Sequence, residues 1–285
     1  MADQLRDTIP TFDTNASDES GDVSISNWSA LTHGNFAKSG SEILAIIAVA
    51  VVIIGGLEIW IRSANVKSYI VPTPIAVGSA LCHHFDDLFW PHVKVTLFEL
   101  GVGYAIGATI GILLAAVITQ VPFVEKIITP YILLLVTTPM MALVPLLQLK
   151  YGFTSTPRII PVALAAGPMV MINAATGFRR TDLAKIALAR SYGANTFQIF
   201  RKVRFPLALP MIIVGLMVGA IFGVLTAVGA EMVSGKDGLG NQIIYWQTFS
   251  KYNYVWSIIT ILALIGIGIY VIFYQIGKRW ASWQA

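Results

Sequence analysis

Six stretches of this chain are long and apolar enough to cross a bilayer as helices, and that restricts everything else the chain can do. They cover residues 43–60, 95–119, 127–149, 159–178, 206–230 and 255–277, and none holds more than one charged side chain. About 20 apolar residues in a helix match the roughly 30 Å of hydrocarbon, and a helix satisfies its own backbone where no water can. Only 12% of the 285 residues are charged and 56% are hydrophobic, with a mean hydropathy of +0.72. A soluble chain carries about twice that charge. The expected fold is an all-α integral membrane protein with six transmembrane helices.

The longest polar interruption in the second half is residues 179–205. Between Arg179 and Arg204 it holds seven basic residues and one acid, Asp182. Basic loops stay on the cytoplasmic side. Six spans then place both termini there too, with twelve of the nineteen Lys and Arg residues inside. Within the loop, Thr181 is expected to cap a short helix and Asp182 to occupy its first turn, near the positive end of the dipole. Leu183, Ile186, Ala187 and Arg190 share one side of that helix. Gly193 ends it, because glycine accepts the left-handed turn that closes helices. A second amphipathic piece, Phe197 to Val203, leads to Pro206, which is expected to begin the next span, where a missing N–H costs nothing.

Ala187-Leu188-Ala189, then Gly193, then Pro206 thirteen residues later resemble the EAA loop of binding-protein-dependent ABC importer permeases. Ala187 stands where that motif has Glu, so no salt bridge is expected from this position. The resemblance implies a type I permease fold in which the short helix docks into a cleft on a cytoplasmic ATPase. Small side chains permit close approach there, and Leu183, Ile186, Leu188 and Arg190 complete the docking element. Read without the resemblance, the same residues make an amphipathic surface helix between two spans. A second match lies further on: Ala230-Glu231 followed by Gly238-Leu239-Gly240 is similar to permeases of the taurine, alkanesulfonate, nitrate and bicarbonate type. The partners implied are cytoplasmic ATPase subunits carrying ATP and Mg, a second permease copy, an extracytoplasmic solute-binding protein and membrane lipid. This chain itself is expected to bind no cofactor. Its place would be a bacterial inner membrane, and its cargo a sulfonate, nitrate, bicarbonate or aromatic carboxylate.

Residues 1–40 carry six acids and few large apolar side chains, and read as a disordered cytoplasmic tail. Trp28 and Phe36 in it could rest on the membrane or a partner. Residues 41–285 form the permease domain. No cleavable signal peptide is visible, since the first apolar run starts at Ile43. Residues 73–90, entered through PTP at 72–74, carry apolar residues at near-helical spacing, as a helix lying in the outer interface would. Trp60, Arg62, Trp280 and Trp283 suit the edges of spans. Glycines recur at intervals of four in span two (Gly103, Gly107, Gly111) and span five (Gly215, Gly219, Gly223), permitting backbone contact in lipid. Internal packing explains both ladders; the resemblance also puts span five near a dimer axis.

Charged and polar groups at membrane depth are the candidates for function. Glu58, near the end of span one, reads as structural. Glu99 lies one turn into span two, and Glu231 closes span five before the loop SGKDGLG. Either could anchor or gate, or in another reading couple a proton. Thr137, Thr138, Pro139, Met140 and Met141 interrupt span three halfway and are candidates for the translocation pathway. Asn173 in span four could line the same cavity or bond to a neighbouring helix. His83 and His84 are adjacent and so point about 100° apart, unlike the i, i+4 pair of a metal site; with Asp86, Asp87 and His92 they read as a polar face, and no metal site is expected.

No GxxxxGK[ST], HExxH or GxSxG occurs, and the expected spans contain no histidine, so a membrane enzyme has no visible catalytic base. The net charge of +4 collects at membrane edges and is no nucleic-acid signal. The lone Cys82 excludes an internal disulfide. Two rivals remain: a proton-coupled secondary transporter using Glu99 or Glu231, which would show an inverted repeat, and a membrane scaffold, which would not need the loop around Gly193.

Overall fold

The computed structural model describes residues 40–67 and 69–280, with side chains from residue 44 onward. The acidic tail, including Trp28, His33 and Phe36, and the terminal Trp283 lie outside the described residues. The helices are α1 (Gly40–Ser63), α2 (Pro74–His84), α3 (Trp90–Gln120), α4 (Pro122–Thr137), α5 (Leu143–Tyr151), α6 (Thr156–Arg179), α7 (Leu183–Ser191), α8 (Thr196–Ile199), α9 (Phe205–Ser234), α10 (Leu239–Thr248) and α11 (Tyr252–Trp280). Among the described residues there is no strand. The chain divides between Gly56 and Leu57 into two units. The first supplies the opening turns of α1, whose apolar side chains from Leu44 to Ile54 stand exposed, as lipid-facing residues do.

The second unit is organised around α6. Gly103, Gly107 and Gly111 of α3 lie on one side of it, so close that a Cβ at Gly107 would run into the main chain of Ala163, and one at Gly111 into that of Gly167. Gly215 and Gly219 of α9 lie on the other side, against Asn173, Val170 and Ala166. Lipid tails are as apolar as leucine, so helices in a bilayer associate through close packing rather than water exclusion, and small residues are what allow it. Both ladders are therefore used inside one chain. Gly223, the last of the second ladder, meets Leu100 of α3, which closes the three helices on one another. A core of Ala115, Ile118, Ile132, Met171, Ala174, Phe178 and Ile212 joins α3, α4, α6 and α9 towards the α7 end.

Five helical stretches are long and apolar enough to cross a membrane, and a sixth candidate is a pair of helices bent sharply at a short break. α4 and the segment from Met140 to Tyr151 meet at 78° across Thr138 and Pro139, so the interruption expected in span three is a true break. The 73–90 stretch, expected as a separate interfacial helix, instead runs without interruption into span two. Residues Pro74–Gln120 form 47 residues of continuous helix, about 70 Å at 1.5 Å per residue, more than twice the hydrocarbon thickness.

The join is a π turn at Phe85–Phe89, where the Trp90 N–H bonds to the Phe85 carbonyl five residues back. A second one, Phe200–Arg204, joins α8 to α9, with the Phe205 N–H on the Phe200 carbonyl. Each ends two residues before a proline, Pro91 and Pro206. A proline ring clashes with the carbonyl four residues back in an α-helix. Here that carbonyl falls within the widened π turn, which keeps the helix unbroken. Pro206 stands in the first turn of α9, as expected, but the π turn carries the helix on without a break from Thr196, so the helix itself starts earlier.

Candidate functional site

α6 is about 36 Å long for its 24 residues, enough to cross the membrane, and functional groups gather at both of its ends. At its C-terminal end the chain turns into α7. Asp182, not Thr181, is the N-cap: its Oδ1 accepts from the Ala184 N–H at 2.8 Å. Thr181 is buried and donates its hydroxyl back to the Phe178 carbonyl at 3.2 Å, which fastens the turn to α6. The carboxylate caps better because it sits at the dipole's positive end. Gly193 has φ +79° with open space around it, so the requirement for glycine is purely conformational. Its N–H bonds to Arg190 O at 2.9 Å, and the Ala194 N–H bonds to Ala189 O at 3.1 Å, closing the helix.

Of the side Leu183, Ile186, Ala187 and Arg190 share, only Ile186 is buried. Leu183 is 78% exposed and Tyr192 84%, and Ala187, Leu188 and Arg190 are also uncovered, with Ala189 half-buried. α7 therefore offers an apolar surface of small and medium side chains beside basic ones, beyond the membrane-spanning part of α6. The return to α9 is ordered by a capping box between Asn195 and Gln198, with bonds of 2.8 and 2.9 Å. Phe178, Phe200 and Phe205 cluster behind it, with the first pair 5.1 Å apart. Arg179 pairs with Glu125 of α4 at 2.6 Å on the surface.

At the N-terminal end of α6 is a buried cluster. Arg158 and Glu99 form an ion pair at 2.8 Å with side chains only 4% and 0% exposed. The approach is off-line, leaving Arg158 Nε without a well-directed hydrogen bond, while the Ser155 hydroxyl also lies beside the Glu99 carboxylate. Arg158 Nη1 donates to the Asp237 carbonyl at 2.7 Å. Glu231, fully buried, accepts the Gly240 N–H at 2.7 Å through Oε2. Thr96 Oγ accepts from the Leu239 N–H at 3.0 Å, and His92 Nδ1 from the Gly238 N–H at 3.3 Å. Gln148 of α5 donates to the Ser234 carbonyl at 3.1 Å. Gly238 (φ +100°) and Gly240 press so close to Glu231 that a Cβ at either would overlap its side chain. The loop between α9 and α10 thus rests in a socket of side chains from α3, α5, α6 and α9.

Glu99 and Glu231 fall in this socket. Glu58 sits apart: it pairs with Arg62 at 2.6 Å and accepts the Ile75 N–H at 3.1 Å, fixing the start of α2. The broken-helix residues spend their polar groups locally, Thr137 on Leu133 and Thr138 on Leu134, the latter at 2.6 Å. Met140 is buried, while Met141 is half-exposed and packs on Gly229. Asn173 donates to Met169 of its own helix at 2.8 Å, so its amide makes no interhelical bond. A small apolar cavity of about 100 Å³ lies between α3, α4 and α6, lined by Gly107, Gly111, Ile132, Gly167 and Pro168 and by none of these candidates. His83 and His84 are exposed, and among the described residues no three His, Cys, Asp or Glu side chains are placed to share a metal.

Sequence reasoning missed Arg158, Thr96 and Gln148, and read His92 as part of a polar face where it instead accepts the Gly238 N–H. The signal available for Arg158 was an arginine in the first turn of one span and a lone glutamate one turn inside another.

Helices of lipid length and a bent helix pair, with a short exposed helix hung between two of them, define a polytopic membrane protein. The chain belongs to the family of binding-protein-dependent transport system inner membrane components, whose pattern matches residues 107–282. A probable ABC transporter permease of Haemophilus influenzae is 29% identical over 217 residues, covering 75% of this chain and 88% of that one. A putative aliphatic sulfonates transport permease of Bacillus subtilis is 28% identical over 227 residues, covering 78% and 79%. The inward-facing MetNI methionine ABC transporter matches in fold with a TM-score of 0.56 at 20% identity, over 67% of this chain and 93% of that one. The fold is that of type I ABC importer permeases, and the chain is the permease subunit of such an importer in the inner membrane.

Proposed function

We propose that this chain, paired with a second copy, forms the pathway through which a small anionic solute is imported, and that α7 of each copy docks on a cytoplasmic ATPase subunit holding ATP and Mg. The observation that carries this reading is α7 itself. Leu183, Ala187, Leu188, Arg190 and Tyr192 are left uncovered on a helix that Asp182 and Gly193 hold in a defined shape. An apolar and basic surface built to that definition, at the membrane's polar edge, suits a protein partner better than solvent.

The positive-inside bias supports placing α7 and both termini in the cytoplasm. Closure of the ATPase pair on ATP draws the two α7 helices together and turns the pathway outward, and hydrolysis resets it. A solute-binding protein on the far side does the selecting. The sulfonate-permease relative supports an anion of the class of sulfonates, nitrate, bicarbonate or aromatic carboxylates. Glu99 and Glu231 anchor the outer loop, while Thr137, Thr138, Met140, Met141 and Asn173 remain the proposed pathway residues.

The test is co-purification of the tagged protein from native membranes, beside Gly193→Asp. An ATPase recovered in equal amount with the natural chain and lost with the variant supports the reading. A chain recovered alone, unaffected by the substitution, overturns it. The co-purified binding protein, titrated with a sulfonate, nitrate, bicarbonate and an aromatic carboxylate, decides the solute class.

A further inference from the structure

Within α6 itself, Arg158 is the one side chain that bonds to the loop 235–238 among the described residues. Lys236 Nζ also donates to the Phe153 carbonyl just before α6 at 3.3 Å, and His92 of α3 accepts the Gly238 N–H. Arg158 Nη1 reaches the Asp237 carbonyl at 2.7 Å, while Nη2 is bound electrostatically to Glu99 of α3 at 2.8 Å. The guanidinium cannot swing away without stranding Glu99 as a buried, unpaired charge. α6 has no slack of its own, because a glycine ladder of α3 and another of α9 hold it backbone to backbone on two sides. Its other end continues through Arg179 and the Thr181 turn into α7. The loop, by contrast, is hinged: Gly235 and Gly238 have φ of +68° and +100°. It leads into α10, where Ile244, Tyr245 and Phe249 are exposed. The cluster also has spare valences. Arg158 Nε lacks a directed hydrogen bond and the Ser155 hydroxyl lies beside the Glu99 carboxylate, so a second pairing arrangement is open to the same groups.

We propose that Arg158 is a positioning residue for transport, the tie through which a displacement of α7 reaches the loop and α10 at the opposite end of α6. This rests on the ABC importer reading. α6 acts as the rod, Glu99 keeps the guanidinium aimed, and the two left-handed glycines let the loop follow. Without Arg158 the ATPase end could still cycle, but α10 would no longer respond to it.

The experiment uses the permease with its ATPase subunits in lipid nanodiscs, with Cys82→Ser to remove the exposed native thiol and Gln247→Cys to report from the exposed face of α10. The rate of maleimide labelling at position 247 is compared between nucleotide-free and vanadate-trapped complexes. In the parent the rate is expected to change roughly tenfold between states, within the usual range of coupling between sites. In Arg158→Gln the rate should be the same in both states, and Arg158→Lys should restore part of the response. A state-dependent rate in Arg158→Gln equal to the parent's, or a rate in the parent that ignores nucleotide, overturns the proposal.

If Arg158→Gln fails to assemble, Glu99→Gln/Arg158→Gln leaves no buried charge at the pair, and a full response there overturns the proposal equally. A merely structural role would lower yield without erasing the difference between states. Failure of the importer reading is separable, since no ATPase would then accompany the parent complex.

Discussion

α6 ends in an arginine–glutamate pair at each extremity, and the two pairs are opposites. Arg179 and Glu125 meet at 2.6 Å with side chains 50% and 37% exposed, while Arg158 and Glu99 meet at 2.8 Å with 4% and 0%. Near-equal distances do not mean equal worth. An exposed pair gains little in high dielectric and is screened by salt; its contribution is about 0–1 kcal/mol. A buried pair is a commitment: its desolvation can cancel its attraction, yet losing one partner leaves the other charge uncompensated at about 3–5 kcal/mol. The α7 end is thus held loosely, which suits the docking role proposed for α7. The far end is specified down to individual backbone groups.

The contrast can be broken most sharply at Arg158. Arg158→Met in detergent should lose about 3–5 kcal/mol of unfolding free energy, and Glu99→Leu/Arg158→Met should recover most of it. A double variant as unstable as the single would mean the charges are not each other's main partner. Next in size is the ladder that seats α6. Gly107→Val forces a side chain into the Ala163 main chain and should cost about 1–3 kcal/mol, read as a lower melting temperature of the purified protein. Gly193→Ala strains a left-handed residue in open space, at about 1–2 kcal/mol. That loss should appear as faster hydrogen exchange confined to α7. Smallest is Glu125→Gln, expected within about 1 kcal/mol and shrinking further in high salt. A larger effect there would place the Arg179 pair in the same class as the buried one.

Most of the bundle was readable because lipid enforces length and polarity on every crossing helix. Gly193 was readable for a similar reason: few residues accept its backbone. Three features were not. Thr181 and Asp182 both suit a cap, and only the burial of Thr181 against α6 assigns the role to Asp182. Pro206 looks like a helix start in any window of sequence and does stand in the first turn of α9; that the helix continues before it depends on a π turn, which no periodicity announces. Arg158 resembles any charge between two spans until α3 and the α9–α10 loop are brought around it. In each case a distant segment decided between two locally acceptable readings.

The two π turns carry one more implication. Each inserts a single residue into an otherwise regular helix, and one residue is about 100° of rotation. The azimuth at which α8, and α7 before it, leave the axis of α9 is therefore clocked by the extra residue in Phe200–Arg204. Deleting one of those five residues would keep every span and every cap, yet turn the exposed face of α7 to a different compass point.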